Sequence, residues 1–338
     1  MSQITKIQWT DHTFNPWIGC TKISPGCLNC YAAESTTNRV ARKAGRDHWG
    51  KGHPRHRTSA ATWRHPLQWN ADRAASCPVE FEFPRVFPSL CDPFDNEIPI
   101  DWLSEFLELI FKTPYLRWQL LTKRPEYVRD RIANAMEYAD RHWLTSGGPR
   151  SFLGDRLGGW LEAFAPHRGM GQIPPNIWLG VSVENQQYAD RRIPELLTIP
   201  AAKRFLSCEP LLGPLDLREH FKCNDYRTAI HWCIIGGESH QPHGNTRPCV
   251  IDWIPPIIAQ CRSAGVAPFV KQLGSIPLET GDPHTTLQQL DGCPLAHGDP
   301  DLVVGNVVRA KFISLQDKKG GDITEWPQRL QVREFPSA

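Results

Sequence analysis

No apolar run in the 338 residues approaches the roughly 18 needed to cross a bilayer, so no membrane partner is expected. The opening residues Met1-Ser2-Gln3-Ile4-Thr5-Lys6 lack the apolar stretch of a secretion signal. Net charge is close to balanced at +2, which excludes a chain-wide polyelectrolyte and leaves nucleic-acid contact to a local patch. No Gly-x-Gly-x-x-Gly follows the first apolar run, which counts against a dinucleotide fold, and there is no P-loop and no nucleophile elbow. No H-x-x-x-H pair stands near an acid. Eleven cysteines without a secretion signal point to reduced thiols in a cytoplasm rather than to a disulfide framework.

What is present begins with Phe14-Asn15-Pro16-Trp17-Ile18-Gly19-Cys20-Thr21-Lys22-Ile23-Ser24-Pro25-Gly26-Cys27-Leu28-Asn29-Cys30-Tyr31. Cys20, Cys27 and Cys30 fall at C-x6-C-x2-C spacing in a turn-rich loop carrying Pro25 and Gly26. Two cysteines two residues apart can place both sulfurs on one metal centre, and a third from the preceding loop makes a three-legged site. On a four-iron cubane, three thiolates leave one iron without a protein ligand. The same spacing suits a structural zinc site completed by His12 or a distant cysteine, and also three ordinary thiols. The remaining cysteines, Cys77, Cys91, Cys208, Cys223, Cys233, Cys249, Cys261 and Cys293, show no close-pair spacing. Cys233 reads as a core residue, and Cys91 and Cys208 fall near strand ends.

From about residue 80, apolar runs of strand length alternate with helical patterns. Strands are predicted at 85–92, 117–122, 176–183, 203–207, 231–235 and 268–271, with 14–18 as a short first one. Helices are predicted over about 31–44, 101–112, 187–197 and 251–264, with another through Met136. Such repeats imply parallel strands joined by crossovers, and seven strands fit a partial or complete parallel (β/α) barrel of TIM-like form. The expected organisation is an α/β barrel domain over 1–275, with insertions at 39–80 and 140–172. Beyond that, 276–338 forms a small C-terminal appendage.

Function in such a barrel gathers at the C-terminal ends of the strands. Those ends supply Asp92, Lys123, Arg124, Ser182, Glu184, Asn185, Glu209, Gly236, Gly237, Glu238, Lys271 and Gln272. Carboxylates and cations converging there can hold a zwitterion, its carboxylate on Lys or Arg and its ammonium on Glu. In Gly236-Gly237-Glu238, two glycines let a ligand approach the backbone beside a carboxylate, although a tight strand-to-helix turn uses the same residues. Between 39 and 73 the chain is basic, with Trp49, Trp63, Trp69 and several histidines interleaved. That composition suits a nucleic-acid partner, through phosphate contact and base stacking, and equally suits a solvated loop.

The runs TDHTFNPWIGCTKISPGCLNCYA, QLLTKRPE, NIWLGVSVENQ, RFLSCEPLLGPLD and IIGGES, across residues 7–275, together resemble the phage-associated three-cysteine-motif proteins. That family resembles a divergent branch of the radical S-adenosylmethionine superfamily, whose fold is a partial α/β barrel. The resemblance implies a 4Fe–4S cluster on Cys20, Cys27 and Cys30, with S-adenosylmethionine at its open iron. It also implies a 5′-deoxyadenosyl radical that abstracts a substrate hydrogen, and an electron donor such as flavodoxin or ferredoxin. Lys123, Ser182, Glu184, Glu209, Gly236, Gly237, Glu238 and Lys271 are then the candidate cofactor-binding set. The superfamily's usual spacing is C-x3-C-x2-C and its Gly-Gly-Glu follows the second strand; here the first gap is six residues and Gly236-Gly237-Glu238 comes later. A zinc-stabilised nucleic-acid-binding protein without catalysis is the alternative.

Overall fold

Six of the seven expected apolar runs form strands within a residue or two of their predicted bounds or inside them. The computed structural model describes residues 5–76, 83–146, 152–164, 171–222, 229–241, 245–290, 302–304 and 308–337. Its central sheet has seven strands, all parallel and in chain order, curled into a half-barrel flanked by helices. They are β1 (His12–Thr13), β2 (Arg85–Phe87), β3 (Arg117–Thr122), β4 (Ile177–Ser182), β5 (Lys203–Cys208), β6 (Trp232–Gly236) and β7 (Ala267–Gln272). The helices are α1 (Thr36–Lys43), α2 (Ala60–Ala75), α3 (Ile100–Lys112), α4 (Val128–Ser146), α5 (Phe152–Ala163), α6 (Gln186–Thr198), the single turn α7 (Arg218–Phe221) and α8 (Ile254–Ser263).

The first strand differs from its prediction. His12–Thr13 is the part that pairs with β2, while Trp17–Ile18 leaves the sheet and pairs antiparallel with His56–Arg57. Pro16 has no N–H for the ladder and restricts Asn15, so the strand stops before them. The Asn15 side chain instead accepts from the Leu90 backbone N–H at 2.6 Å. For a similar reason the run at 85–92 is strand only to Phe87, because Pro88 follows.

Side chains alternate across the sheet. Leu120, Leu179, Val181, Leu206, Cys233, Ile235 and Val270 join the main core with the helices. The opposite face carries Trp178, Phe205, Trp232, Ile234 and Phe269, joined by Trp9 and Phe87 in an aromatic cluster. Trp232 sits at its centre, with ring centroids of Trp9, Trp178, Phe205 and Phe269 5.8–6.2 Å away. Gly180 has no Cβ because the Phe205 ring occupies that space. Two to four residues beyond the aromatics the same face turns polar, with Ser182 on β4, Glu209 after β5 and Lys271 on β7, and with Gly236 on β6 among them. The aromatic plug fills one end of the half-barrel and leaves the polar rim at the strand C-termini.

The chain after 275 is tied back to the barrel. Pro277–Glu279 pairs with Cys249–Val250 and with Val308–Phe312. Near the C-terminus, Val270 N–H donates to Val332 O at 2.8 Å and Glu334 N–H to Pro268 O at 2.9 Å, covering the free edge of β7. Cys77, Cys223 and Cys293 lie outside the described residues, as do parts of the 39–80 and 140–172 insertions and of 276–338. No helix among the described residues is long and apolar enough to cross a membrane.

Candidate functional site

The cysteine loop lies across the C-terminal ends of the strands, held there by side chains far away in sequence. Ser24 hydroxyl donates to Glu184, which follows β4. Asn29 Nδ2 donates to Glu238 Oε2 at 2.8 Å, and Arg247 Nη1 donates to Pro25 O at 2.9 Å. From the end of β3, Arg124 Nη2 donates to Thr21 O at 2.7 Å, while its Nη1 approaches Cys20 Sγ at 3.6 Å. Gly26 packs on the Glu184 carboxylate, where a Cβ would lie 2.9 Å from Oε1. Turn chemistry makes the loop compact: Pro25–Cys27 is one turn of 3-10 helix, with Pro25 at its first position.

All eight candidate cofactor residues gather at this rim, but their charges are largely matched internally. Glu184 is fully buried and receives Arg192 Nη1 at 2.7 Å; the same Arg192 nitrogen donates to Ser182 O at 2.7 Å. Burial alone would raise the Glu184 carboxyl, yet the Lys123 and Arg192 charges and the Ser24 hydroxyl hold it below the usual carboxylate range. Glu238 is buried and bound by the Arg247 guanidinium and backbone N–H. Lys271 Nζ lies 3.0 Å from Glu209 Oε1. That contact is an ion pair not aligned as a hydrogen bond, so this oxygen keeps unused acceptor capacity. Gly236 leaves the room for it, since a Cβ there would meet Glu209 Oε1 at 2.6 Å. Asn185 caps α6, accepting from Tyr188 N–H at 3.2 Å, and Gln272 donates to Gly237 O and Ser239 Oγ, both at 2.8 Å.

A second layer of buried charge supports Cys20. Arg124 Nη1 pairs with Asp92 at 2.8 Å, and Arg55 with Asp95 at 2.9 Å, all four side chains being almost wholly enclosed. Arg55 also reaches Thr21 Oγ1. Sequence reading named Asp92 and Arg124 as strand ends but missed Ser24, Asn29, Arg55, Asp95, Arg192 and Arg247. One signal was available for Arg192: it lies two helical turns beyond Glu184, on the buried face of the helix that follows it.

The sulfur donors that the sequence offers to a metal are the three loop cysteines. Cys20, Cys27 and Cys30 are all free thiols, and each has its own polar neighbour: Arg124 at Cys20, Ser24 Oγ 3.6 Å from Cys27 Sγ, and the Lys123 charge near Cys30. Removal from water pushes the Cys20 thiol up, with Asp92 adding to it and Arg124 opposing. Burial pushes Cys30 up too. Cys20 and Cys30 left alone are therefore held as neutral thiols; a bound metal would displace thiol protons outright, and the adjacent donors would then stabilise sulfur charge. Among the described residues, no three His, Cys, Asp or Glu side chains stand close enough to share a single ion. Thiolates of a cubane hold separate irons and need not converge on one point. Cys91 bridges to Gly19, beside Cys20. His12, offered by the sequence as a fourth zinc ligand, is stacked face to face on Trp69 at 4.2 Å.

In the basic 39–73 segment the aromatics face inward. Trp49 and Trp69 are buried, and Trp63 packs on the core beneath the Arg57 guanidinium. Arg42 is paired with Glu34 and Asp47, and Arg57 with Glu105. Lys43, Arg46, Lys51 and Arg64 remain exposed.

No curated protein and no solved structure matches the chain. A family model, DUF5131, described as a protein of unknown function, matches residues 4–299, and the chain belongs to that family.

Proposed function

We propose that this chain is an iron–sulfur enzyme of the radical S-adenosylmethionine type, with Cys20, Cys27 and Cys30 holding a 4Fe–4S cluster. The observation that carries the reading is the docking of a three-cysteine loop across the C-terminal ends of a parallel half-barrel, through Ser24, Asn29, Arg124 and Arg247. A purely structural metal knuckle has no need to be fixed over the face where α/β barrels carry their chemistry. The resemblance of the cysteine run to the three-cysteine-motif proteins, and of that family to the superfamily, supports the same conclusion.

When bound, the reduced cluster together with S-adenosylmethionine supplies a 5′-deoxyadenosyl radical for hydrogen abstraction from the substrate. The protein's own groups bind and orient. Arg124, Ser24 and Lys123 surround the three sulfurs with donors or positive charge. Glu209, opposite Lys271 and above Gly236, offers an oxygen to an ammonium group, and Lys271 offers its own charge to a carboxylate. The Arg192–Glu184 and Arg247–Glu238 pairs hold the loop down and limit water. The electron comes from a small redox protein such as flavodoxin or ferredoxin, in a reducing cytoplasm.

The experiment is anaerobic purification with iron, sulfide and zinc analysis, followed by addition of S-adenosylmethionine and reductant. About four irons and four sulfides per chain, and release of 5′-deoxyadenosine, are expected. One zinc and no sulfide, even after reconstitution with iron, would replace this reading with a zinc-stabilised nucleic-acid-binding protein.

A further inference from the structure

A cavity of about 260 Å3 opens at the rim beside the cysteine loop, and Thr21 and Ile23, between Cys20 and Cys27, form part of its wall. Arg124 and Arg192 also line it, but each is neutralised by its buried partner, Asp92 or Glu184. Glu97 is likewise occupied, accepting from Thr21 Oγ1 at 2.8 Å and Gly52 N–H at 2.7 Å, with Arg55 3.4 Å away. Three further cations line the cavity, none of them locked in a buried pair of this kind, although the Lys123 charge also acts on Glu184. The ammonium groups of Lys51 and Lys123 have no hydrogen-bond or ion-pair partner among the described residues. Arg191 reaches Glu126 only at 3.5 Å, with its side chain 68% exposed. These three come from separate segments: the loop after α1, the end of β3 and helix α6.

Two large apolar side chains at the same cavity are uncovered, Tyr127 and Ile23, each 40% exposed. Surplus cations next to a bare aromatic ring match a nucleotide, with phosphate on the cations and the base on the ring. An acidic peptide would use the cations and leave the tyrosine without a role.

We propose that this cavity binds a nucleoside phosphate, free or within a single strand, through Lys51, Lys123 and Arg191 with the base against Tyr127. Calling that ligand the substrate rests on the radical-enzyme reading; the binding itself does not. Arg124 spans the short gap between the cavity and Cys20, so the ligand lies one side chain from the first cysteine.

The test uses the full chain prepared without added iron or sulfide and a fluorescein-labelled single-stranded DNA of about a dozen nucleotides, followed by anisotropy between about 50 and 200 mM salt. Lys51→Gln and Lys123→Gln should each weaken binding about tenfold and flatten the log–log salt slope by about 0.7. Tyr127→Ala should weaken it about tenfold or more at every salt concentration with the slope unchanged. Lys43→Gln and Arg46→Gln, exposed near the end of α1 and outside the cavity, should leave it as it was. Displacement of the strand by a deoxynucleoside triphosphate identifies free nucleotide as a ligand; strand binding that resists displacement identifies the strand. Failure of the wild-type chain to bind either probe, or equal weakening by the α1 substitutions, overturns the proposal. Loss of binding here concerns the cavity alone, whereas absence of iron and sulfide from the anaerobic protein concerns the cluster alone.

Discussion

Asn29 Nδ2 donates to Glu238 Oε2 at 2.8 Å, joining the residue between the last two cysteine-loop positions to the end of β6 across 209 residues of chain. The same carboxylate holds Arg247, whose other guanidinium nitrogen donates to Pro25 O. Glu238 therefore fixes the loop twice, once directly and once through the arginine. A carboxylate that sequence reading assigns to a ligand's ammonium group is employed here in docking the cysteines.

Removing that carboxylate should release the loop before it unfolds the barrel. Glu238→Ala leaves Arg247 partly buried without its partner, a loss of about 1–3 kcal/mol. Tryptic cleavage after exposed Lys22 should accelerate at least severalfold at denaturant concentrations where the wild-type barrel stays folded. Asn29→Ala removes only one of the two ties and should show a smaller effect. Unchanged cleavage in Glu238→Ala would mean that the loop is held by Ser24 and Arg124 alone.

Cys27→Ala should abolish iron and sulfide binding after anaerobic reconstitution while leaving the far-ultraviolet spectrum intact. Cys27 is buried at the loop, 7% exposed, away from the helix-packed core, so the truncation opens little space there. Its sulfur is one of only three that the loop contributes. Full metal retention would remove these cysteines from the proposed centre.

The Glu184–Arg192 pair should give the fold an acid-sensitive component. The folded-state pKa of Glu184 lies below its ordinary value of about 4.3, so ionised Glu184 favours the native state. That contribution is complete above the unfolded pKa and is lost as pH falls through the folded one. Urea midpoints should therefore drop below about pH 4.3 more steeply in the wild type than in Glu184→Gln. Arg192→Met, which strands a fully buried carboxylate, should cost about 3–5 kcal/mol at neutral pH. Parallel acid profiles for wild type and Glu184→Gln would show that the pair is not the sensor.

The strands were legible because each is a continuous apolar run ending in polar residues; Arg117–Thr122 begins and ends where its run does. Which face each side chain takes was not legible, since β4 is buried along its whole length and has no apolar–polar alternation. Hence the aromatic plug of Trp178, Phe205 and Trp232 went unseen. In the 39–73 segment the interleaved aromatics suggested a stacking platform, but Trp63, Pro66 and Trp69 recur at three-residue spacing, the mark of one helix face turned toward a core. The eight rim residues were legible from strand ends alone. Their partners were not, because Arg55, Asp95 and Arg247 lie in stretches that read locally as solvated loop, and only the tertiary fold brings them to the cysteines.

The adjacent glycines at the end of β6 separate a binding role from a structural one. At Gly236 an added Cβ would sit 2.6 Å from Glu209 Oε1 and 3.2 Å from Gln272 Cγ, so what must yield is mostly the far end of a flexible side chain. At Gly237 the obstacles are Leu273 backbone, with its carbonyl carbon 2.8 Å away, and Cys249 Cβ at 2.7 Å, which cannot move cheaply. Gly237→Ala should thus destabilise the fold by about 1–3 kcal/mol, and Gly236→Ala by less than about 1 kcal/mol. If Glu209 and Lys271 receive the amino-acid end of S-adenosylmethionine, Gly236→Ala should still lower 5′-deoxyadenosine release about tenfold or more, with melting temperature nearly unchanged. Full release from a Gly236→Ala protein that keeps its cluster would take Glu209 out of the cofactor site. The adjacent substitution serves as its control, because it perturbs the same turn through the backbone instead of through the carboxylate.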